Sequence, residues 1–277
     1  DYFEEVKAIC GLDIFDMCMN GPQEELSQTQ NAQPALAATS IAIARALRER
    51  GVEPAAVAGI GEGEYAAHVI AGTVDMNSAF ELVARRGALT AMAAHINGGK
   101  TAEFLGCTKE QADQLCASFG GKIAVCAELS PSRMAISGDA EALEAAVAQW
   151  REGKGSVKVC DGDVAFNGKL MRSVSTGMGM ALKNTLFGPG EVPVYCNLTG
   201  ARFDHMRSPE LLGEQVTSPV LWRQTIEAML KDGVDTFIQC GPGSTALDAA
   251  RETAQALGAD VAFYKVATAE DVMFAKL

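Results

Sequence analysis

The residues most suggestive of chemistry lie in the stretch 55–72. Apolar and small residues lead into Gly59-Ile60-Gly61-Glu62-Gly63, and a helical pattern follows. This order predicts a buried strand, a glycine turn and a helix, which is the geometry of a nucleophile elbow. In such an elbow, written G-x-S-x-G, a sharp turn presents a serine oxygen at the carboxyl end of a parallel sheet. Gly61 occupies the serine position here, so the sequence predicts the elbow without its nucleophile.

The same glycines also allow a second interpretation, a dinucleotide-binding loop between a strand and a helix. The spacing lacks the third glycine of G-x-G-x-x-G. Glu62 and Glu64 would also place negative charge at a helix N-terminus, where a pyrophosphate needs donors. Both carboxylates can simply stabilise the helix dipole, by roughly 0.3 to 1 kcal/mol each. A nucleotide site is therefore the least favoured interpretation.

The elements around this turn alternate between helix and strand. The pattern predicts a helix that opens at Gln33-Pro34 and ends before Gly51, and a second helix over 77–94 that carries Arg85 and Arg86. Later segments show the same alternation of helix and strand. The pattern predicts a helix over 172–187, a strand at 192–195, a helix over 222–231 and a strand at 236–239. A Gly-Pro-Gly turn at 241–243 is expected to open another helix. Such alternation is typical of an α/β domain with a parallel sheet.

Between these parts lies a stretch of short segments in the order βαββαβ. They cover 101–105, 109–119, 122–129, 133–137, 140–150 and 157–160. That order is the signature of a ferredoxin-like unit. We therefore expect an α/β fold with a hydrolase-like, parallel-sheet large domain formed by residues 1–98 and 162–277. A ferredoxin-like small subdomain over 99–161 is expected to be inserted in it.

Composition narrows the classes of function. The 277 residues are 48% hydrophobic and carry a formal net charge of −12, which indicates a globular chain and argues against a nucleic-acid partner. The eight cysteines form no C-x-x-C pair and lie mostly in apolar runs, so we expect reduced thiols in a cytoplasmic protein and no metal site. Neither a membrane span nor a signal-peptide pattern is recognisable.

Short motifs follow one another along nearly the whole chain. They are T-x-x-A-Q-P-A at 29–35, G-E-Y-A-A at 63–67, R-G at 86–87, I-S-G at 136–138, A-F at 165–166 with L-M at 170–171, N-L-T-G at 197–200, Q-V-T-S-P-V-L-W at 215–222 and G-P-G at 241–243. In this order they resemble the malonyl-CoA:acyl carrier protein transacylases and the acyltransferase domains of fatty acid and polyketide synthases. The resemblance implies the same two-part α/β fold.

The chain departs from that family at the positions where the resemblance places the chemistry. The family's G-H-S-x-G has Ile60 and Gly61 in place of histidine and serine, and its A-F-H-S-P-L-M has Asn167 in place of the basic histidine. Acyl transfer by this route needs an oxygen nucleophile and an imidazole that accepts its proton. Glycine has no side-chain atom to attack with, and an amide is no base near neutral pH. The family's G-Q-G motif, which helps to form the oxyanion hole, would precede residue 1.

The resemblance leaves a set of binding positions. It implies substrate contacts at Arg86, Glu62, Gly63, Phe166 and Asn197. In the family the arginine pairs with the free carboxylate of a malonyl group, and the amide after the elbow, here that of Glu62, is a donor. Arg86 could instead pair with Glu62 or Glu64, since a buried arginine needs an acidic partner from either ligand or protein. His68, His95 and His205 match no catalytic position of the family.

Two hypotheses follow for function. The first is a degenerate acyltransferase that has lost its chemistry and acts in fatty acid or polyketide metabolism. It would bind acyl-CoA or an acyl carrier protein, or serve as a scaffold beside an active paralogue. The second is an active transferase or hydrolase with a rearranged site, in which Glu62 acts as acid or base on an acyl thioester. Neither hypothesis requires a cofactor; the expected ligand is malonyl-CoA or another acyl-CoA, with no nucleic acid and no membrane as partner.

Overall fold

A computed structural model describes residues 2–160 and 162–274, so residues 1, 161 and 277, which limit the predicted domain ranges, lie outside it. Its N-terminal part is helical. The helices are α1 (Tyr2–Cys10), α2 (Ile14–Asn20), α3 (Gln23–Leu26), α4 (Thr29–Glu49), α5 (Gly63–Ile70) and α6 (Met76–Asn97). The helix predicted to follow the glycine turn is confirmed as α5, and the next predicted helix as α6.

Helix α4 begins four residues earlier than predicted, and Pro34 lies inside it. The backbone N–H groups of Asn31 and Ala32 already donate to the carbonyl of Gln28, so the helix is formed before the proline is reached. Helix α6 approaches α4 closely at Gly87, where a Cβ atom would lie 3.0 Å from the Gln30 Cα. This approach brings the middle of α6 against the first turns of α4.

The predicted βαββαβ unit is confirmed, with each boundary within two residues. It consists of β1 (Lys100–Leu105), α7 (Lys109–Ser118), β2 (Ile123–Ser130), β3 (Arg133–Gly138), α8 (Ala140–Glu152) and β4 (Ser156–Val159). The strands form an antiparallel sheet in the order β2-β3-β1-β4. Buried apolar side chains on the central strands, such as Phe104 and Ile136, pack in one cluster with Leu115 of α7 and Leu143 of α8. The limits of the predicted domains remain predictions.

The remaining elements belong to the larger α/β part. They are α9 (Arg172–Asn184), α10 (Ser208–Gln215), α11 (Trp222–Lys231), β5 (Thr236–Cys240), α12 (Thr245–Ala256), β6 (Ala262–Val266) and α13 (Ala269–Phe274). Strands β5 and β6 are parallel, in register from Thr236 opposite Ala262 to Cys240 opposite Val266. Helix α11 has the predicted bounds, whereas α9 ends three residues earlier than predicted.

The strands predicted before the turn and at 192–195 are reduced to a single parallel bridge between Val57 and Val194. The Val57 N–H donates to the Pro193 carbonyl, and the Tyr195 N–H donates to the Val57 carbonyl. Pairing does not continue because the next available acceptor, the Gly59 carbonyl, receives the side-chain amide of Asn197 at 2.5 Å. The extended segment therefore passes directly into the turn.

Among the described residues, no helix is both long enough and apolar enough to cross a membrane.

Candidate functional site

The turn before α5 has the backbone geometry of the predicted elbow. Gly61 adopts a φ of +59°, in the left-handed region that glycine enters without steric cost. A Cβ atom at Gly59 would lie 2.2 Å from the carbonyl carbon and oxygen of Gly63, so the strand end and the helix start are in direct backbone contact. Only glycine at position 59 permits this approach. At Gly61, by contrast, an added Cβ would meet only Arg86 Nη2, at 3.7 Å.

Two buried amides hold the backbone of the turn from below. The Gly61 N–H donates to Asn197 Oδ1 at 2.7 Å, while Asn197 Nδ2 donates to the Gly59 carbonyl. Gln215 Nε2 donates to the Gly61 carbonyl at 3.0 Å. Asn197 was predicted to contact substrate, but the structure places it beneath the turn and outside the wall of the adjacent cavity. Its polar groups are used by the backbone that it supports.

Glu64 lies in the first turn of α5 and is fully buried. Its carboxylate accepts the Asn197 N–H at 3.3 Å and the Gln215 Nε2–H. Burial raises the pKa of this carboxyl from 4.5 to about 7, and the hydrogen bonds and the positive charge of Arg86 only partly oppose that rise. Glu64 is therefore part of the support of the turn and does not face the cavity.

Arg86 is buried on α6, and its guanidinium points towards the turn. Its Nη1 donates to Gln33 Oε1 at 2.5 Å and lies 3.8 Å from Glu62 Oε2. Nε is buried and has no hydrogen-bond partner among the described residues. Glu62 is therefore the acidic residue that pairs with Arg86, and 3.8 Å is a long distance for a salt bridge. The Glu62 side chain is 25% exposed and can move away from the arginine.

Asn167 stands at the position of the family's basic histidine and has a φ of +52°. Its Nδ2 donates to the backbone carbonyls of Gln215 at 2.8 Å and Ser218 at 3.2 Å. The neighbouring Phe166 is fixed to the small sheet, because its N–H donates to Thr101 Oγ1 at 3.1 Å. The side-chain donor of Asn167 is therefore occupied by structural hydrogen bonds.

A cavity of about 1530 Å³ brings most of the predicted site residues together. Its wall includes Gly61, Glu62, Gly63, Arg86, Phe166 and Asn167. Beyond this group the cavity continues between the segment 55–59 and strand β5, where its lining is largely apolar. The structure thus gathers around one space five of the residues singled out from sequence as catalytic or binding positions, together with Gly61, and leaves Asn197 behind the wall.

Sequence analysis gave no individual role to two residues of this region, Gln33 and Gln215. Both are buried, and each hydrogen-bonds a residue of the predicted site. Each also lies inside one of the family-like motifs, A-Q-P in the first case and Q-V-T-S-P in the second. Their place inside these motifs was the sequence signal that could have identified them, and the structure adds that both amides are buried and therefore require partners.

Of the other candidate chemical groups, His95 and three cysteines also line the cavity, whereas His68 does not. His68 is buried with its Nδ1 2.7 Å from Thr73 Oγ1, and burial lowers the pKa of its imidazole to about 4. All eight cysteines lie among the described residues, and none of them forms a disulfide there. Within residues 2–160 and 162–274, no group of three histidine, cysteine or acidic side chains is arranged to hold a metal ion.

The chain is similar to known acyl transferases in sequence and in fold. A family model described as an acyl transferase domain matches residues 3–271. The chain is 31% identical over 247 residues to the malonyl CoA-acyl carrier protein transacylase of Haemophilus influenzae, covering 87% of this chain and 79% of that protein. It is also 31% identical over 248 residues to the Escherichia coli protein of the same name, covering 87% and 80%.

Solved structures extend the similarity to the fold. The malonyl-CoA:acyl carrier protein transacylase of Xanthomonas oryzae pv. oryzae superposes with a TM-score of 0.91 at 28% identity, over 99% of this chain and 88% of that one. A malonyl-transacylase in complex with its type II polyketide synthase acyl carrier protein gives 0.91 at 27% identity, over 99% and 89%. The expected α/β architecture is confirmed, and the chain belongs to the acyl transferase domain family.

Proposed function

We propose that this chain binds an acyl thioester that carries a free carboxylate, such as malonyl-CoA or a malonylated acyl carrier protein, without forming a serine ester. The observation that most supports this proposal is the buried Arg86. Its Nη2 lies 3.7 Å from where a Cβ atom of residue 61 would be, its Nη1 donates to Gln33, and its buried Nε has no hydrogen-bond partner among the described residues. A carboxylate above Gly61 would supply an acceptor for Nη2, and such charge-assisted bonds are the strong ones.

The same geometry supports the loss of acyl-enzyme chemistry. Position 61 offers no side-chain oxygen, and Asn167 directs its amide to two backbone carbonyls. An amide cannot accept a proton near neutral pH, so a substrate in the cavity would meet neither nucleophile nor base at these positions. We infer a pseudoenzyme that acts by binding, or as a scaffold beside an active paralogue, in fatty acid or polyketide metabolism.

The carrier-protein partner is inferred from relatives. One structural relative was solved in complex with its acyl carrier protein, and the curated relatives are named for transfer to that partner. A cytoplasmic location remains a prediction, based on the cysteine-rich sequence without a disulfide-like spacing.

Calorimetric titration of malonyl-CoA and acetyl-CoA tests the proposal. A bidentate arginine–carboxylate pair in this partly dehydrated site should contribute about 1.5 to 3 kcal/mol, which corresponds to a preference of about ten- to hundredfold for the malonyl ligand. Arg86→Ala should abolish that preference. Arg85→Ala is the matched control, because the adjacent Arg85 is exposed and its Nε donates to the Gly177 carbonyl at 3.0 Å. Equal or absent binding of the two ligands to the unmutated protein would contradict carboxylate recognition.

Glu62 provides a second test, because it lies 3.8 Å from the same guanidinium. A ligand carboxylate must displace this side chain or share the arginine with it. Glu62→Gln removes the competing charge, so we expect tighter binding of malonyl-CoA and little change for acetyl-CoA. If Glu62 instead belongs to a pre-neutralised structural pair, the substitution should lower the stability of the fold and leave both affinities unchanged.

A second candidate function is thioester hydrolysis with Glu62 as general base. The specific observation in its favour is that this carboxylate is partly exposed and lines the cavity beside Gly61. Release of free coenzyme A from malonyl-CoA, measured for the unmutated protein and for Glu62→Gln, decides between the two functions. Turnover that depends on Glu62 supports the hydrolase; no turnover together with selective binding supports the pseudoenzyme. Intact-mass analysis should show no acyl adduct within residues 60–64 in either case.

A further inference from the structure

The buried groups beneath the turn form a connected cluster that the proposed ligand does not touch. Glu64 comes from α5, Gln215 from the end of α10, and Asn197 from the loop after Val194 and Tyr195. Each of the three is at most 2% exposed, and none of them lines the cavity. A buried carboxylate is costly to retain unless its charge is matched by donors. We therefore expect Glu64 to have a specific structural role beneath the site.

The direction of the hydrogen bonds defines that role. Both carboxylate oxygens of Glu64 act as acceptors, one for the Asn197 N–H and one for Gln215 Nε2. The same Nε2 donates to the Gly61 carbonyl, whereas Gln215 Oε1 is buried and has no partner within the described part of the chain. Two acceptors, Glu64 and the Gly61 carbonyl, thus hold the Gln215 amide in one orientation. The reversed amide would turn its oxygen towards both of them.

Holding the Gly61 carbonyl also fixes the next N–H group. The peptide between Gly61 and Glu62 is planar and trans, so its N–H points away from its carbonyl. The carbonyl is drawn towards Gln215 and also accepts the Glu64 N–H at 3.2 Å. The Glu62 N–H therefore points to the opposite side of the peptide, and Glu62 and Gly61 both line the cavity.

We propose that Glu64 is a positioning residue of this site: through Gln215 it fixes the plane of the Gly61–Glu62 peptide and aims the Glu62 N–H at the carbonyl oxygen of a bound thioester. The inference rests on the proposed function for the identity of the ligand. The positioning itself is a property of the free protein. A carboxylate suits this place because its neighbours are both donors, and the amide of a glutamine would direct its own donor against one of them.

The ¹³C chemical shift of the Gly61 carbonyl, in protein labelled with carbonyl-¹³C glycine, tests the positioning without ligand, because this carbonyl accepts from Gln215 Nε2. Spectra are recorded above pH 7, where Glu64 is mostly ionised. In Glu64→Gln we expect the signal to move upfield, as it does when a carbonyl loses a hydrogen bond. Val174→Ala, a buried substitution on α9, is the control for general destabilisation and should leave the Gly61 carbonyl signal unchanged. Glu64→Asp keeps two acceptors and should lie between the unmutated protein and Glu64→Gln. An unchanged Gly61 carbonyl shift in Glu64→Gln overturns the proposal.

A second readout uses the ligands. Because the thioester carbonyl is common to malonyl-CoA and acetyl-CoA, Glu64→Gln should weaken both by a similar factor of about ten, about the strength of one hydrogen bond. Arg86→Ala should affect only the malonyl ligand. Gln215→Met removes the connecting donor and should reproduce both effects if Glu64→Gln does not fold. A loss confined to malonyl-CoA overturns the aim at the carbonyl. Failure of the unmutated protein to bind either thioester contradicts the proposed function and leaves the carbonyl-shift test to judge the positioning.

Discussion

Two buried ionisable groups on α5 should give this protein opposite dependences of stability on pH. Burial raises the pKa of Glu64 from 4.5 to about 7 and lowers the pKa of His68 from 6.5 to about 4. Glu64 is embedded among Gln215, Asn197 and Cys196, and His68 packs edge-on against Phe203, its Nε2 having no hydrogen-bond partner among the described residues. In both cases burial disfavours the charged form relative to the unfolded chain, so Glu64 is mostly ionised only above about pH 7.

The signs of the two contributions follow from linkage. The Glu64 carboxyl binds its proton more tightly in the folded state, so its stabilising contribution is complete below pH 4.5 and is lost as the pH rises through about 7. The His68 imidazole binds its proton less tightly in the folded state, so its contribution is complete above pH 6.5 and is lost as the pH falls through about 4. Each shift of about 2.5 pH units corresponds to about 3 kcal/mol. Between pH 4.5 and 6.5 the two contributions change with pH in opposite directions, so their sum should be nearly constant.

Single substitutions separate the two contributions. The free energy of unfolding of Glu64→Gln, relative to that of the unmutated protein, should rise by about 3 kcal/mol between pH 4.5 and 7.5. For His68→Asn the same difference should fall by about 3 kcal/mol between pH 4 and 6.5. Urea unfolding at steps of half a pH unit measures both, and Glu24→Gln on the exposed surface of α3 controls for the loss of one negative charge. A difference for Glu64→Gln that does not vary with pH would refute the raised pKa of this buried carboxyl.

Further predictions concern the turn itself. Gly61→Ser should be accommodated sterically, since its Cβ would meet only Arg86 Nη2 at 3.7 Å, but the φ of +59° should lower the free energy of unfolding by about 1 to 2 kcal/mol in thermal or urea denaturation. That variant alone should form almost no malonyl adduct by intact mass, because loss of either member of a nucleophile–base pair costs on the order of 10⁶ in turnover. Adding Asn167→His, at a left-handed position that histidine tolerates, should produce the adduct; an adduct with serine alone would contradict the need for a base. Gly59→Ala should destabilise the fold by about 3 kcal/mol or more, because its Cβ would lie 2.2 Å from the Gly63 backbone; a change below about 1 kcal/mol in the same assays would contradict this contact.

The small subdomain could be predicted closely because local signals define it. Thr108 and Gln111 form a reciprocal capping box at the start of α7, and Asp139 caps α8. Short, largely apolar runs mark the strands between them, so the boundaries follow from neighbours in sequence. Element order and type in this region required no knowledge of the tertiary structure.

Other features depended on contacts that sequence patterns do not contain. Pro34 suggested a helix start, but the turn from Thr29 forms ahead of it, and α4 continues through the proline. The extended segment before the turn was predicted as a strand, yet the Asn197 side chain ends its pairing at Gly59. Family motifs indicated Arg86 and Asn197 as binding positions together, and only the packing separates an arginine in the cavity wall from an amide beneath it.

The choice between Glu62 and Glu64 as the partner of Arg86 also depended on packing, although helical geometry could have narrowed it. Two residues apart at the start of a helix, the side chains lie about 200° apart around the axis, so one carboxylate faces the cavity when the other faces the core. The structure assigns Glu62 to the guanidinium at 3.8 Å and Glu64 to Gln215. Helical phase alone could have shown that both cannot serve the arginine, although not which one does.

The elbow persists without a nucleophile because its conformation does not depend on one. Glycine at position 61 takes the left-handed φ without the strain that a serine would carry, and the backbone contact between Gly59 and Gly63 is unaffected by that change. The Gly61 N–H and the Gly59 and Gly61 carbonyls are hydrogen-bonded from below by Asn197 and Gln215. Glycine at position 61 therefore avoids strain and removes no support from the turn, which makes the elbow compatible with the binding role proposed above.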